Sequence, residues 1–202
     1  MKIYNCEQNT DEWEEIKKGK ITASAFGNLI TPTLSIAKSI TAKETICEII
    51  GKAICIQDSD DFQTFPMARG TECEPRARTF YQQTYLAEVK EVGFIESHCG
   101  NYGFSPDGLI GKNGMMEIKT QCKKKHIFCN TYGFSEWLKK YKGQILLPMI
   151  TKPNIEWCDC ISYNEDFKDD DKLYVYRYHR NEEEIEKAKV VLDYWVEELK
   201  KI

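Results

Sequence analysis

The chain has 202 residues, 42% of them apolar and 30% charged, which is typical of a globular protein with a sizeable core. Its formal net charge of −4 does not by itself indicate a nucleic-acid-binding protein. No apolar run approaches the length of a membrane-spanning helix, and the N-terminus lacks the apolar core of a signal peptide, so we expect no membrane association and a cytoplasmic location.

The first half of the chain carries mostly helix signals. In chain order they predict a helix capped by Thr10 and ended by Gly19, a helix from about Thr22 stopped by Thr31-Pro32, a buried helix over residues 41–56, a polar loop over residues 57–63 and a longer helix over residues 67–85. Pro75 conflicts with the longer helix, because a proline inside a helix costs about 3 kcal/mol. The alternative is that Pro75 lies in a first turn, with a separate turn before it.

The second half alternates strands and helices. In chain order the pattern predicts strands over residues 89–95, 102–110 and 115–119, a helix from Ser135 to about Met149, strands over residues 155–163 and 173–178, and a last helix capped by Asn181. Pro148 is expected to kink or shorten the helix that contains it. No repeat or linker interrupts the pattern, which predicts one mixed α/β (α+β) domain over residues 1–202.

Cysteine and lysine usage bears on the kind of site to expect. The nine cysteines include no C-x-x-C pair, so a zinc or iron–sulfur site is poorly supported, and reduced thiols that fill small core volumes are the expectation. Lysines cluster at residues 17–20, 123–125 and 139–142, whereas acidic residues concentrate at 165–171 and 182–184. This asymmetry is compatible with one basic groove on an acidic body, although such clusters are usually solvated helix faces.

Residues 105–119 predict a β-hairpin with charged residues at one end. Its two apolar-rich segments are separated by turn-forming residues, namely Gly111, Asn113 and Gly114. In an antiparallel hairpin the start of the first strand lies beside the end of the second, so Asp107 would meet Glu117 and Lys119. Two adjacent carboxylates need a cation or a proton between them, and oxygen ligands favour a hard ion such as Mg²⁺ or Mn²⁺. Spacing alone, however, favours a surface hairpin with solvated charges.

Motifs elsewhere in the chain favour a metal site at this hairpin over a surface hairpin with solvated charges. Five occur in this order: Gly19-x-Ile21-Thr22-Ala23-Ser24, Arg69-Gly70-x-x-x-Glu74-x-x-Ala77, Ser105-Pro106-Asp107-Gly108, Glu117-x-Lys119 and Tyr141-x-x-Gln144. On these motifs the sequence resembles the lambda-exonuclease and YqaJ-type viral recombinase nucleases, a branch of the PD-(D/E)XK superfamily. The resemblance implies a restriction-endonuclease-like core, with a central mixed β-sheet flanked by helices.

The resemblance also implies a metal site. Asp107 and Glu117 would bind Mg²⁺, for which Mn²⁺ could substitute, together with the backbone carbonyl of Ile118. Glu74 would reach the metal directly or through water. Asp107, Glu117 and Glu74 each have an ordinary alternative role as a solvated surface carboxylate, and Ile118 has one as a core-facing residue of the strand.

Further roles follow from the same resemblance. Lys119 would orient the attacking water or neutralise the transition state, and Gln144 would position Lys119 or the nucleophile. A pocket for a 5′-terminal phosphate would use the hydroxyls of Thr22 and Ser24 with the basic side chains Lys17 and Lys125. Both lysines occupy positions where the family has arginines, so the bidentate contact of an arginine is lost.

The function that the resemblance implies is a Mg²⁺-dependent exonuclease. It would degrade linear double-stranded DNA from its ends, 5′→3′, and leave 3′ overhangs for phage-type recombination by strand annealing. Implied partners are duplex DNA ends, two further copies in a toroidal homotrimer, and a single-strand annealing protein. Two alternatives stay open: a Cas4- or RecB-type nuclease, which usually carries a cysteine cluster, and an inactive DNA-binding module.

Overall fold

The computed structural model describes residues 1–55 and 65–201, so the predicted loop over residues 57–63 lies outside the described residues. The described α-helices are α1 (Asp11–Lys17), α2 (Ala23–Leu29), α3 (Ile40–Ile54), α4 (Phe65–Tyr85), α5 (Lys123–Tyr132), α6 (Ser135–Thr151) and α7 (Glu182–Leu199). The strands are β1 (Lys2–Tyr4), β2 (Val89–Lys90), β3 (Phe94–Glu96), β4 (Gly103–Phe104), β5 (Gly108–Ile110), β6 (Gly114–Thr120), β7 (Trp157–Tyr163) and β8 (Leu173–His179).

A mixed five-stranded sheet with helices around it confirms the predicted fold class. Its strand order is β2-β5-β6-β7-β8, in which β6 and β7 run parallel and all other neighbours run antiparallel. A second, antiparallel sheet has the order β1-β3-β4. The central strands β6 and β7 are buried along most of their length because packed side chains cover both faces of the sheet there.

Two predicted strands are wrong as continuous elements, because the chain changes sheets within each of them. Residues 89–95 divide into β2 and β3, and at the crossing Gly93 lies so close to Cys6 that an added Cβ would stand 2.4 Å from the Cys6 carbonyl oxygen. Residues 102–110 divide into β4 and β5 around Pro106, which has no N–H to donate to a ladder. Two elements, β1 and α5, were not predicted at all.

Both internal prolines are tolerated, so the expected shortening at Pro148 and the separate turn before Pro75 are not observed. Helix α4 is continuous from Phe65 to Tyr85, and α6 continues past Pro148 to Thr151. In α6 the residues around Pro148 are buried, whereas in α4 Pro75 is exposed and the opposite side of the helix is buried, including Ala77 and Tyr81, which is 2% exposed. Burial of a large apolar side chain contributes about 1.5–3 kcal/mol, enough to offset much of the proline cost.

Two hydrophobic clusters lie on opposite faces of the central sheet. The larger contains Met115 and draws side chains from α2, α3, α6 and α7. The smaller contains Met116 and Ile118 and joins the sheet to α4 through Ala77. Successive residues of β6 therefore point to opposite faces, as the hairpin prediction requires. The assignment of residues 1–202 to one domain remains a prediction.

Close packing of α2 against α6 fixes the position of α6 over the sheet. A Cβ added to Gly143 would stand 2.8 Å from the Cα of Gly27, so the two backbones meet where neither carries a side chain. This approach brings the face of α6 that carries Tyr141 and Gln144 toward α2. None of the helices in the described part of the chain is long and apolar enough to cross a membrane.

Candidate active site

The β5–β6 hairpin forms as the sequence predicts and brings the charged residues to one end. Gly111 turns the chain with a φ of +58°, a conformation that glycine adopts readily. The ladder pairs Gly108 with Met116, so Asp107 comes beside Glu117. Because side chains alternate along a strand, Glu117 and Lys119 share one face of β6.

Short polar contacts join these residues. The Lys119 Nζ lies 2.6 Å from the Glu117 Oε1, and the backbone N–H of Ile118 donates to the Asp107 Oδ2 at 2.5 Å. Glu117 is buried, whereas a quarter of the Lys119 side chain remains exposed. The Ile118 side chain packs in the smaller cluster, so its role at this site is limited to its backbone.

Helix α4 adds the third predicted carboxylate through an arginine that sequence reasoning missed. Arg78 donates to the Glu74 Oε1 at 2.5 Å and to the Asp107 backbone carbonyl at 2.7 Å, and its Nη1 lies 2.7 Å from Glu91. Arg78 itself is only 7% exposed. The spacing of Glu74 and Arg78, four residues apart on one helix, was the available signal, since such pairs are neighbours on a helix surface.

Burial raises the pKa of Glu74, Asp107 and Glu117, and repulsion between carboxylates adds to this for Glu74 and Glu117. Burial, then the charge of Asp107, raises the pKa of Glu74 to about 8. Burial also raises the pKa of Glu117 to about 7 against the opposing effect of Lys119, and it raises the pKa of Asp107. Burial alone would lower the pKa of Lys119, but Glu117 and Asp107 outweigh it and raise that pKa. Such clustered perturbations are typical of functional sites.

The donor set suits a divalent cation. The pKa values of the three carboxyl groups are raised, so the positive charge nearby does not fully balance their ionised forms. Mg²⁺ and Mn²⁺ prefer oxygen ligands of this kind. In residues 1–55 and 65–201 no three acidic, histidine or cysteine side chains already converge as a ligand cluster. Each carboxylate instead contacts a donor of the chain itself, namely Arg78, Ile118 N–H or Lys119. Binding an ion would therefore exchange these contacts for the metal.

Helix α6 brings Tyr141 into contact range of Lys119. The Lys119 ammonium lies 5.2 Å from the centroid of the Tyr141 ring, within the range of a cation–π interaction. The half-buried Gln144 instead lies against α2, where a Cβ added to Gly27 would be 3.5 Å from its Cγ. The predicted contact between Gln144 and Lys119 remains a prediction.

Three of the four predicted phosphate-pocket residues border a cleft of about 670 Å³. Thr22 caps α2, its hydroxyl lies 3.0 Å from that of Ser24, and Lys17 is 2.9 Å from Glu14. Lys18, Lys20 and Lys52 also line the cleft. Lys125 does not line this cleft and is instead an exposed residue of α5.

The nine cysteines form no cluster in the described residues. All nine are free, and four of them are buried: Cys73, Cys129, Cys158 and Cys160. The expectation of thiols in the core is thus confirmed for these four, and the others are exposed or half-buried. The cysteine cluster usual in a Cas4- or RecB-type nuclease is not found in this part of the chain.

Comparison with known proteins gives the same family as the motifs. The chain superposes on the alkaline exonuclease LHK-Exo from Laribacter hongkongensis with a TM-score of 0.83 and 28% identity, over 95% of this chain and 93% of that chain. The structure of LHK-Exo in complex with dAMP gives the same TM-score and coverage at 29% identity.

A phage-related exonuclease from Haemophilus somnus 129PT gives a TM-score of 0.69 at 14% identity, over 93% of this chain and 98% of that chain, and so shows the shared fold alone. No curated protein matches the chain. The model of the YqaJ-like viral recombinase domain matches residues 12–152, a span that contains every predicted site residue. The chain therefore belongs to the YqaJ-like viral recombinase domain family.

Proposed function

We propose that this protein is a Mg²⁺-dependent exonuclease that degrades linear duplex DNA from its ends. The observation that carries the proposal is the contact of Lys119 with Glu117 beside Asp107, at the hairpin end that α4 and α6 flank. The likeness to LHK-Exo, an alkaline exonuclease that has been crystallised with a deoxynucleoside monophosphate, supports this substrate class.

Asp107, Glu117 and Glu74, with the Ile118 carbonyl, are the residues that would hold the ion, and Mn²⁺ would substitute for Mg²⁺. When bound, a divalent ion supplies a water of lowered pKa and charge to balance the phosphate. The carboxylates must first lose their protons, because a protonated carboxyl is a poor ligand for a cation. Their raised pKa values in the metal-free protein mean that protons compete with the ion more strongly at acidic pH than at neutral to alkaline pH.

Lys119 is the electrostatic residue of the proposed mechanism. Its raised pKa keeps the ammonium protonated at working pH, so Lys119 acts as a donor and a positive charge rather than as a base. The ammonium can hold a water through one N–H and a phosphate oxygen through another, and it balances the charge that develops on that oxygen. The Tyr141 ring limits where the ammonium can move.

The direction of degradation is proposed as 5′→3′, which leaves 3′ overhangs. The cleft bordered by Thr22, Ser24 and Lys17 supports this direction, because hydroxyls and ammonium groups together suit a terminal phosphate. Gln144 and Lys125 remain proposed contacts to Lys119 and to DNA, respectively.

The proposed role is in phage-type recombination by strand annealing. A toroidal homotrimer would reconcile a net charge of −4 with DNA binding, because basic groups would line the channel while the outside stays acidic. A single-strand annealing protein would receive the 3′ overhang. Both assemblies follow from the family and are proposals for this chain.

The test uses linear duplex labelled at either the 5′ or the 3′ end, with and without a 5′-phosphate, and a circular duplex of the same sequence. With Mg²⁺ we expect mononucleotides to be released from the 5′ ends of the linear DNA, faster when the phosphate is present, and no release with EDTA. Asp107→Asn is the matched control, because asparagine keeps an acceptor for the Ile118 N–H while the charge is lost. Release from circular DNA, or equal release in EDTA, would contradict the proposal.

A further inference from the structure

We propose that the outward face of α5 binds single-stranded nucleic acid, namely the strand that loses its partner as the other strand of a duplex is degraded. The proposal rests on the exonuclease function above and adds a second contact surface to it. The surface comprises Lys124, Phe128 and Tyr132, which follow one another at intervals of four residues along α5, with Ile127 beside them.

Buried contacts fix which side of α5 faces outward. His126 is fully buried, with its Nδ1 2.8 Å from the Ser162 Oγ and its Nε2 2.7 Å from the Asp171 carbonyl oxygen. The His126 ring also stacks on Tyr174 at 4.5 Å, and Cys129 is buried on the same side of the helix. The helix is therefore attached to β7 and β8, and the opposite side is presented to solvent.

The outward side carries large apolar groups that the described part of the chain leaves partly exposed. Ile127 is 41% exposed, Phe128 is 36% exposed and Tyr132 is 72% exposed. The Phe128 and Tyr132 rings lie 5.0 Å apart at an angle of 42°, so they form one continuous aromatic surface. Adjacent exposed aromatic groups of this kind typically mark an interaction site.

Charge on α5 differs from charge on the other lysine-bearing helices. Most lysines of the other helices pair with a glutamate one turn away, as Lys187 does with Glu183 and Lys189 with Glu186. Helix α5 contains no acidic residue, and within residues 1–55 and 65–201 no carboxylate forms an ion pair with the lysines at 123–125. On a chain of net charge −4, these unpaired ammonium groups favour a polyanionic partner.

Aromatic groups and lysines together favour a single strand over a duplex. A duplex offers its phosphates to lysines but keeps its bases stacked inside, where exposed rings cannot reach them. An unpaired strand offers phosphates to Lys124 and base faces to Phe128 and Tyr132. A second copy of this chain could also cover the apolar groups and offer carboxylates to the lysines, and the test below separates that outcome from strand binding.

The surface is also close to the proposed reaction site. Helix α5 begins four residues after Lys119, and four extended residues span at most about 14 Å. The separated strand could therefore contact α5 within a few nucleotides of the point where its partner is cleaved.

The test measures the affinity of the protein for a fluorescent oligothymidylate with a 5′-hydroxyl. Fluorescence anisotropy is recorded in EDTA over a range of salt concentrations. We expect Phe128→Ala/Tyr132→Ala to weaken binding at least about tenfold with an unchanged salt slope, because base stacking is lost. Lys124→Gln is expected to lower the slope of log K against log salt by about 0.7, one phosphate contact on a single strand. Tyr132→Phe should bind as the wild type does, because the ring remains.

Tyr194→Ala, at an exposed tyrosine of α7, and Lys38→Gln, at an exposed lysine, are the matched controls and should bind normally. Wild-type affinity in the double variant would overturn the proposal. If that variant also shows an altered molar mass by light scattering, α5 is an interface between copies of the chain instead. The assay needs no catalysis. A protein that binds as expected yet releases no nucleotides with Mg²⁺ would overturn the exonuclease function while the α5 surface stands.

Discussion

The carboxylate of Asp107 accepts a hydrogen bond from the backbone N–H of Ile118, with Oδ2 and N 2.5 Å apart. Ile118 stands between Glu117 and Lys119, so this bond fastens the start of one hairpin strand to the reactive end of the other. Because the donor belongs to the backbone, hairpin register sets the position of the Asp107 carboxylate. The bond also offers the charged form of Asp107 a partner in the absence of a metal ion.

Replacing Arg78 with lysine should weaken the site through its carboxylates. Lysine cannot reproduce the fork that contacts Glu74, the Asp107 carbonyl and Glu91 at once. We expect Mg²⁺ affinity, measured by calorimetry, to fall about 10–100-fold, the usual effect of losing a group that orients metal ligands. Arg76→Lys is the control, since Arg76 is exposed on the same helix and pairs with Glu72 and Glu165. Equal affinities in the two variants would show that Arg78 does not orient the carboxylates.

Nuclease activity should rise with pH between about 6 and 8.5. Glu117 with a pKa of about 7 and Glu74 with a pKa of about 8 are protonated at the lower end of this range, and proton loss is required before they bind a cation. The measurement is the initial rate of nucleotide release across this pH range at one fixed, subsaturating Mg²⁺ concentration, because saturating Mg²⁺ would itself displace the protons. A rate that is flat from pH 6 would mean that neither carboxyl titrates there.

The stability of the metal-free protein should change in the opposite direction. The folded-state pKa values of Glu117 and Glu74 lie above the ordinary 4.5, so between pH 4.5 and 8 the folded protein holds more protons than the unfolded chain. Stability therefore falls as pH rises through this window. In EDTA we expect the melting temperature to fall from pH 5 to pH 8, and Glu74→Gln should reduce that fall because one titrating group is removed. A melting temperature that rises with pH would contradict the assignment.

Gly143→Ala should destabilise the protein through the contact of α2 with α6. The added Cβ would stand 2.8 Å from the Gly27 Cα, and overpacking of this kind costs about 1–3 kcal/mol. Gly51→Ala is the matched control, because nothing lies within 4 Å of its Cβ position and alanine favours the helix by about 0.5–1 kcal/mol. Urea denaturation should give free energies of unfolding that shift in opposite directions. If both shift upward, the two backbones are not in close contact.

Sequence reasoning succeeded where the local pattern and the tertiary structure agree. The hairpin could be predicted because turn residues at 111–114 and alternating strands together specify register, and register alone places Asp107 beside Glu117. The last helix could be predicted because Asn181 caps it and its apolar side chains form one stripe.

Prediction from the sequence failed where contacts between distant residues decide the local structure. Burial of Tyr81 stabilises α4 and so lets it continue through Pro75, and this stabilisation cannot be read from the local sequence pattern. Helix α5 was missed because its buried side consists of His126 and Cys129, which a search for apolar periodicity does not count as a core stripe. The role of Arg78 was not predicted because this side chain donates to the backbone carbonyl of Asp107, which is 29 residues away along the chain.

The most direct test of the account compares nucleotide release from linear duplex by the wild type and by Lys119→Met, each in Mg²⁺ and in EDTA. Lys112→Met is the control, because Lys112 is an exposed lysine in the turn of the same hairpin. We predict release by the wild type and Lys112→Met with Mg²⁺ only, and a loss of at least about 100-fold in Lys119→Met at an unchanged fold, since one charge that stabilises the transition state is removed. Equal rates for wild type and Lys119→Met, or release that persists in EDTA, would contradict the assignment of this hairpin as a metal-dependent nuclease centre.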